Sequence, residues 1–267
     1  MTHMADPLIT LTTDFGLASP YVAAVKGVIL GFNPAVRLID LSHALPPQDV
    51  YHAAFFLASS VVYFPEDTLH VVVVDPGVGS ERAVLYVEVA NQRLLVPDNG
   101  CWVLLAEKSE HEPRVRKLTE QRYWASAISS TFHGRDVFAP VAGHLSLGLD
   151  PKELGPRVHE WVTLEKRAPT PETEGLTGEV EFVDDFGNLI TNLPGEILNR
   201  LAGRPHWVCV GETTVPRCVR TYGEARPGEV VALVASNGAL EVAVAQGSAA
   251  KALNVGVGAR VTVRWEG

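Results

Sequence analysis

The stretch Val71-Val72-Val73-Val74-Asp75-Pro76-Gly77-Val78-Gly79-Ser80-Glu81-Arg82 decides the fold. Four consecutive valines are β-branched and apolar, the pattern of a strand buried on both faces in a parallel sheet. Asp75 ends the run. Pro76 fixes its own φ and lacks a donor, and Gly77 and Gly79 supply φ values that other residues avoid. A buried strand therefore delivers a carboxylate to its C-terminal edge, where open α/β sheets bind ligands. A loop-capping aspartate fits the same residues.

Working outward, Leu8 to Thr13 reads as a first strand ending at Asp14-Phe15-Gly16. Ser19 and Pro20 look like the N-cap and first residue of a helix carrying Val22, Val25, Ile29 and Phe32 at helical spacing. A strand over Val36 to Leu41, a helix over Asp49 to Tyr63 and the strand Thr68 to Val74 complete a β-α-β-α-β order. That order predicts a doubly wound, mainly parallel α/β sheet. Two shorter strands, Ala83 to Val89 and Leu94 to Val96, follow, the second ending in the turn-like Pro97-Asp98-Asn99-Gly100. Residues 107–122 read as charged, solvated surface, and Val137 to Leu147 as a helix.

Residues 163–176 are polar with two prolines and read as a linker. The expected division is an N-terminal α/β domain over 1–162 and a C-terminal all-β, barrel-like domain over 177–267. The second domain is assigned strands at Gly178 to Val183, Trp207 to Val210, Val215 to Thr221, Glu229 to Ala235, Leu240 to Val244 and Arg260 to Trp265, with a short helix at Pro194 to Leu201.

The chain of 267 residues is 46% hydrophobic and 20% charged, a globular composition. A net charge of -9 disfavours nucleic acid as a partner, because that binding rests on Lys and Arg against phosphate. The three cysteines have no Cys-x-x-Cys spacing and suggest neither a disulfide frame nor a zinc site. No membrane-length apolar run and no signal-peptide pattern is visible, so a cytoplasmic location is the expectation.

Strand ends converge in a doubly wound sheet, so Asp14 and Asp75 are expected as neighbours. Arg82, seven residues past Asp75, can fold back as its ion-pair partner. His133 sits in the loop Ser129-Ser130-Thr131-Phe132-His133-Gly134-Arg135-Asp136. Asp75, Arg82 and His133 together suit the positioning and deprotonation of a water molecule. From composition alone a metal-dependent hydrolase stays open, since aspartates also gather Mg²⁺.

Seven motifs then occur in order: Thr12-Thr13-Asp14-Phe15-Gly16, Tyr21-Val22 with Lys26-Gly27-Val28-Ile29, Pro46-Pro47-Gln48-Asp49-Val50, Val74-Asp75-Pro76-Gly77-Val78-Gly79, Pro97-Asp98-Asn99-Gly100, Phe132-His133-Gly134-Arg135-Asp136, and Asp185-Phe186-Gly187-Asn188-Leu189-Ile190-Thr191-Asn192. The ordered set resembles the S-adenosyl-L-methionine hydrolases, also called SAM hydroxide adenosyltransferases, which are similar in fold to fluorinase and chlorinase. The resemblance implies attack of water or hydroxide on ribose C5′ of S-adenosylmethionine, giving adenosine and L-methionine without a cofactor or metal. It implies a homotrimer with sites between subunits.

The family's water-handling set maps onto Asp75, Arg82 and His133, and its ribose-binding acid onto Asp14. Phe132 and Phe186 match apolar walls, and Asp184, Asn188 and Ser236 match positions that hold the methionine portion or the adenine edge. Ser19 stands where relatives often carry an acid facing the amino-acid end of the ligand. The halogenase members lack an Asp/Arg/His set. A non-catalytic adenosine- or S-adenosylmethionine-binding protein is the competing expectation.

Overall fold

The structure is a computed structural model and describes residues 7–165 and 167–266. The chain divides into two compact units, Met1–Leu164 and Glu165–Gly267. The first contains, in order, β1 (Leu8–Thr13), α1 (Tyr21–Phe32), β2 (Arg37–Ser42), α2 (Val50–Ser60), β3 (Leu69–Val73), β4 (Val84–Val89), β5 (Gln92–Pro97), α3 (Val103–Ala106), β6 (Arg114–Lys117), α4 (Ala139–Ser146) and β7 (Arg157–Val158). Its sheet has the order β2-β1-β3-β5-β4-β6-β7. The half β2-β1-β3-β5 is parallel, and the ladders β5-β4, β4-β6 and β6-β7 are antiparallel.

Side-chain alternation assigns the two faces of β3 to different cores. Val71 and Val73 join Ile9 and Leu11 of β1 against Val25 and Ile29 of α1 and Val141 and Ala142 of α4. Val72 and Val74 pack with Leu85 and Val87 of β4 against Ala53 and Leu57 of α2 and Leu105 of α3. Each fully buried Val, Leu or Ile contributes about 1.5–3 kcal/mol, so the strand carrying Asp75 is among the firmest parts of the unit. A Cβ on Gly143 would lie 2.7 Å from the Phe32 ring, so glycine lets α4 close onto α1.

The chain runs from β1 outward to β2, then returns to β3 on the other side of β1. That reversal is a topological switch point, and it opens a crevice above the C-terminal ends of β1 and β3. Thr13 pairs with Val73 in the ladder, so Asp14 and Asp75 leave the sheet at one edge.

Local differences from the sequence reading have physical causes. Pro20, in αR geometry, occupies the N-cap of α1, and no side chain caps it; Ser19 lies one residue too early. Asp49 caps α2 by accepting from the His52 amide at 2.8 Å, worth about 1 kcal/mol. Residues 107–122 are not only surface: β6 lies within them, with Val115 fully buried. Its Arg-Val-Arg-Lys sequence hides a single inward side chain among three charged ones.

The second unit contains β8 (Thr170–Glu172), β9 (Gly175–Val183), β10 (Leu189–Pro194), α5 (Glu196–Arg200), β11 (His206–Val210), β12 (Thr213–Val215), β13 (Arg217–Cys218), β14 (Val230–Val234), β15 (Ala239–Val244), α6 (Ala249–Leu253) and β16 (Arg260–Trp265). The sheet order is β12-β11-β16-β9-β10-β15-β14-β13, with β8 paired to β9. All ladders are antiparallel except β13-β14. Register shifts on β10 bend the sheet, and β12 approaches β14, giving a nearly closed barrel around Val180, Leu189, Val208, Val242, Val261 and Val263.

Two features of this unit lie outside the sequence reading. The stretch 163–176, expected as a linker, carries β8 and the first residues of β9. β10 is a central strand although Asn192 and Pro194 are poor strand formers. Asn192 is used instead as a side-chain donor to Arg167 O and as acceptor from the Glu179 amide at 2.9 Å.

Candidate active site

Asp75 lies two residues past the end of β3, with the buried Val74 between. Only 4% of the Asp75 side chain is exposed, and 7% of the Arg82 side chain. Arg82 Nη2 donates to Asp75 Oδ2 in a buried ion pair and also contacts His133 Nδ1 at 3.2 Å. Arg82 Nη1 donates to the Ala83 carbonyl at 3.1 Å, which fixes the guanidinium plane. The structure thus brings together the three residues that the sequence reading groups for water handling.

The electrostatics follow from this packing. Burial pushes the Asp75 carboxyl above its ordinary value; Arg82, His133 and the Gly77 amide oppose the shift. Burial, then the Arg82 charge, hold His133 below the ordinary imidazole value, against Asp75 and Asp136. His133 is therefore neutral at pH 7. A guanidinium only donates, so Nδ1 is the accepting nitrogen and Nε2 carries the proton. Two buried polar atoms of this group, Asp75 Oδ1 and Arg82 Nε, have no hydrogen-bond partner among the described residues. One is an acceptor and the other a donor, a pairing that suits a small polar reactant.

Two loops hold the group. Gly79 has φ of +77°, and a Cβ there would stand 2.1 Å from Ser130 O. Glycine is needed both for the backbone conformation and for the approach of the Arg82 loop to the His133 loop. Gly77, expected to share this role, has no positive φ. On the other side, Asp136 is buried, forms paired contacts with Arg135 at 2.6 and 2.9 Å, and accepts from the Ser129 amide at 2.8 Å. His133 then enters a π-helical turn, Gly134–Phe138, before α4. Single π turns often mark functional positions because they re-aim one side chain.

Asp14, at the end of β1, is half-buried, and its Oδ2 accepts from the Gln48 amide at 2.8 Å. Gln48 takes an unusual φ of +64° to make that bond. Beside Asp14 stand three aromatic rings in mutual edge contact. Phe15 lies 5.8 Å from both Tyr21 and Phe132, and Tyr21 lies 5.0 Å from Phe132. Phe132 was expected as a wall. Phe15 and Tyr21 were not, because in sequence they read as a loop residue and a helix-start residue.

The remaining sequence-derived candidates lie in the second unit. Asp184 and Asn188 close a tight loop: Asp184 accepts from the Asn188 amide at 2.8 Å and from its side chain at 3.0 Å. Gly187 is obligatory there, with φ of +82° and a Cβ position 2.0 Å from Ser248 Oγ. Phe186, in the same loop, is 79% exposed. Ser236 is exposed in the turn after β14. Near Asp184, Tyr222 donates to the buried Glu241 at 2.6 Å. Burial raises the Glu241 carboxyl, and the Asp184 charge adds to that rise against the Tyr222 bond. Neither Tyr222 nor Glu241 carries a sequence signal beyond strand alternation.

Among the described residues, no group of three His, Cys, Asp or Glu side chains is arranged to hold a metal ion. No helix is long and apolar enough to cross a membrane among the same residues.

Fold and site together define a two-unit protein with a parallel-strand-end carboxylate, guanidinium and imidazole group followed by a β-barrel-like unit. The chain belongs to the SAM hydroxide adenosyltransferase family: the N-terminal domain model matches residues 9–155 and the C-terminal domain model residues 178–262. It is 44% identical over 250 residues to the (R)-S-adenosyl-L-methionine hydrolase of Thermus thermophilus, covering 91% of this chain and 94% of that one. It is 39% identical over 259 residues to the enzyme of the same name from Salinispora tropica, covering 96% and 97%. Fluorinases match at lower identity, 24% for that of an Actinoplanes species. A crystal structure of an uncharacterized conserved protein from Thermotoga maritima superposes with a TM-score of 0.89 at 35% identity, covering 96% of this chain and 99% of that one.

Proposed function

We propose that this protein is an S-adenosyl-L-methionine hydrolase that forms adenosine and L-methionine. The observation that carries the reading is the buried Asp75–Arg82–His133 group at the switch-point edge, with Asp75 Oδ1 unspent. It stands in a chain whose relatives bear that activity as their name.

The chemistry asks little of the protein beyond position. A water oxygen forms a bond to ribose C5′ as the C5′–S bond breaks, and the sulfonium leaves as the neutral thioether of methionine. No general acid is required. The water must be in line with the C–S bond, and its proton must have an acceptor. Asp75, raised by burial, is the acceptor in this reading. Arg82 keeps it ionised and aimed, and neutral His133 offers Nε2–H to orient the water. Asp14 accepts from the ribose hydroxyls through its oxygen lone pairs not used by Gln48. Phe15, Tyr21 and Phe132 wall the sugar.

The loops of the second unit complete the proposal. Phe186, exposed within its own chain, and Ser236 and Asn188 contact adenine or the methionine portion, and Asp184 holds their loop. The functional unit in this reading is a homotrimer whose subunits complete one another's sites, cytoplasmic and without a metal or organic cofactor. The net charge of -9 supports a cationic small molecule over nucleic acid as the partner.

The test is incubation with S-adenosylmethionine in ¹⁸O-water after EDTA treatment. The expected products are methionine and adenosine labelled at the 5′ oxygen, from a sample whose mass by light scattering is three chains. Unlabelled adenosine, or methylthioadenosine in its place, sinks attack at C5′. Activity that requires added Mg²⁺ or Zn²⁺ moves the reading to a metal-dependent hydrolase. An active monomer of about 28.8 kDa removes the shared site.

A further inference from the structure

The turn Pro97-Asp98-Asn99-Gly100 is a sequence motif that the proposed chemistry does not use. The β3-β5 ladder pairs Leu69, His70 and Val71 with Arg93, Leu94 and Leu95 and goes no further. The last residues before Asp75 therefore lack a strand partner on that side. Asn99 supplies one: its Nδ2 donates to the Val74 carbonyl at 2.9 Å, and its Oδ1 accepts from the Cys101 amide at 3.2 Å. One residue earlier, the Asp98 amide donates to the Ala83 carbonyl at 2.9 Å. That carbonyl also receives Arg82 Nη1.

The turn thus grips the chain at the residue before Asp75 and at the residue after Arg82. Its own geometry is fixed. Gly100 has φ of +89°, and a Cβ there would lie 2.9 Å from Leu164 Cγ. Asp98 Oδ1 accepts from the Val162 amide at 2.9 Å.

We infer that Asn99 is a positioning residue for hydrolysis, acting through Asp75, and that the Asp98–Gly100 turn sets the geometry of the Asp75–Arg82 pair. The inference rests on the assignment of Asp75 as the water's proton acceptor. Among the described residues the Asn99 side chain bonds the Val74 carbonyl and the Cys101 amide, so in this inference it acts on Asp75 through Val74. Its loss changes where Asp75 points, while Asp14 and the aromatic walls, held from β1 and from the His133 loop, keep their places. The effect belongs in turnover and not in ligand affinity.

The experiment compares Asn99→Ala and Asn99→Asp with wild type and Asp75→Asn, measuring kcat, KM, the pH profile of kcat and adenosine affinity, after circular dichroism confirms folding. Asn99→Ala is expected to lower kcat by roughly ten- to a hundredfold with adenosine affinity changed less than about threefold, since misplacement near 1 Å costs about that much. Asn99→Asp adds a negative charge near Asp75, which raises the Asp75 carboxyl and moves the acid limb of kcat to higher pH. Wild-type kcat with an unmoved acid limb in both variants overturns the inference. So does a parallel loss of kcat and adenosine affinity, which marks a merely structural turn. Asp75→Asn hydrolysing at the wild-type rate instead refutes the assignment of Asp75 itself, whatever Asn99 does. Should Asn99→Ala not fold, Asn99→Ser is read by the same criteria.

Discussion

Asp75 and Asp14 are carboxylates at one sheet edge in different surroundings. Asp75 is enclosed, tied to a guanidinium and raised by burial; Asp14 is half-buried and tied to a neutral amide. In the proposed mechanism they do different work. Asp75→Ala is expected to lower kcat by on the order of 10²–10⁴ and to spare adenosine binding. Asp14→Ala is expected to weaken adenosine and substrate alike, roughly tenfold or more, because charge-assisted hydrogen bonds contribute about 1.5–3 kcal/mol each. Calorimetry and steady-state kinetics on both variants separate the roles; wild-type turnover in Asp75→Ala returns that residue to loop capping. The pH profile follows from the same shifts. In the proposed mechanism Asp75 works ionised and His133 works neutral; burial raises the carboxyl of the first and lowers the imidazole of the second. Both requirements are lost on acidification, so kcat is expected to fall on the acid side only. A basic limb at pH 7–8 contradicts these roles.

At the scale of elements, the site depends on loops held at contact distance by residues without side chains. Gly79→Ala places a methyl 2.1 Å from Ser130 O at a φ that disfavours alanine. The Arg82 loop must lift from the His133 loop, lengthening the 3.2 Å contact between the two side chains. The expected result is a large loss of hydrolysis with the fold retained, because both cores lie below the loops. Gly77→Ala is the control, since its Cβ would meet nothing closer than 3.5 Å. Equal activity in the two variants removes the loop contact as a requirement. Sequence reading found both glycines but not which of them matters, because that is set by the approach of the loop at Ser130, 51 residues from Gly79.

At the scale of the molecule, a polar thread crosses the first sheet. His70 on β3 bonds Thr10 Oγ1 on β1 at 2.7 Å and Gln92 Oε1 on β5 at 3.2 Å, and it is fully buried. Burial, the largest cause, lowers its pKa to about 4 from the ordinary 6.5. The unfolded chain therefore takes up a proton near pH 6.5, while the folded chain resists until about pH 4. Stability is lost across that window as pH falls, by on the order of 3 kcal/mol from this group. Urea midpoints between pH 7 and 4 are expected to fall less steeply in His70→Gln than in wild type. Identical slopes mean that the buried imidazole is not the acid-sensitive group.

The alternation of strands and helices in the first unit was legible along the chain, because β-branched runs and helical spacing are local signals. Strand ends also marked the Asp14 and Asp75 candidates, while Arg82 was marked by its place seven residues past Asp75 and His133 by its polar loop. Sequence reading did not reach β6 or β10. β6 buries one valine among charges, and β10 carries an asparagine that bonds outside the ladder. It takes the folded chain to show that Arg82 folds back on Asp75, that His133 arrives from a loop 51 residues beyond Arg82, and that Phe15 and Tyr21 join Phe132. The physical reason is common to all three. A pair's energy depends on its separation and shared burial, which sheet order and loop contact set, and neither quantity is written in the spacing of residues along the chain.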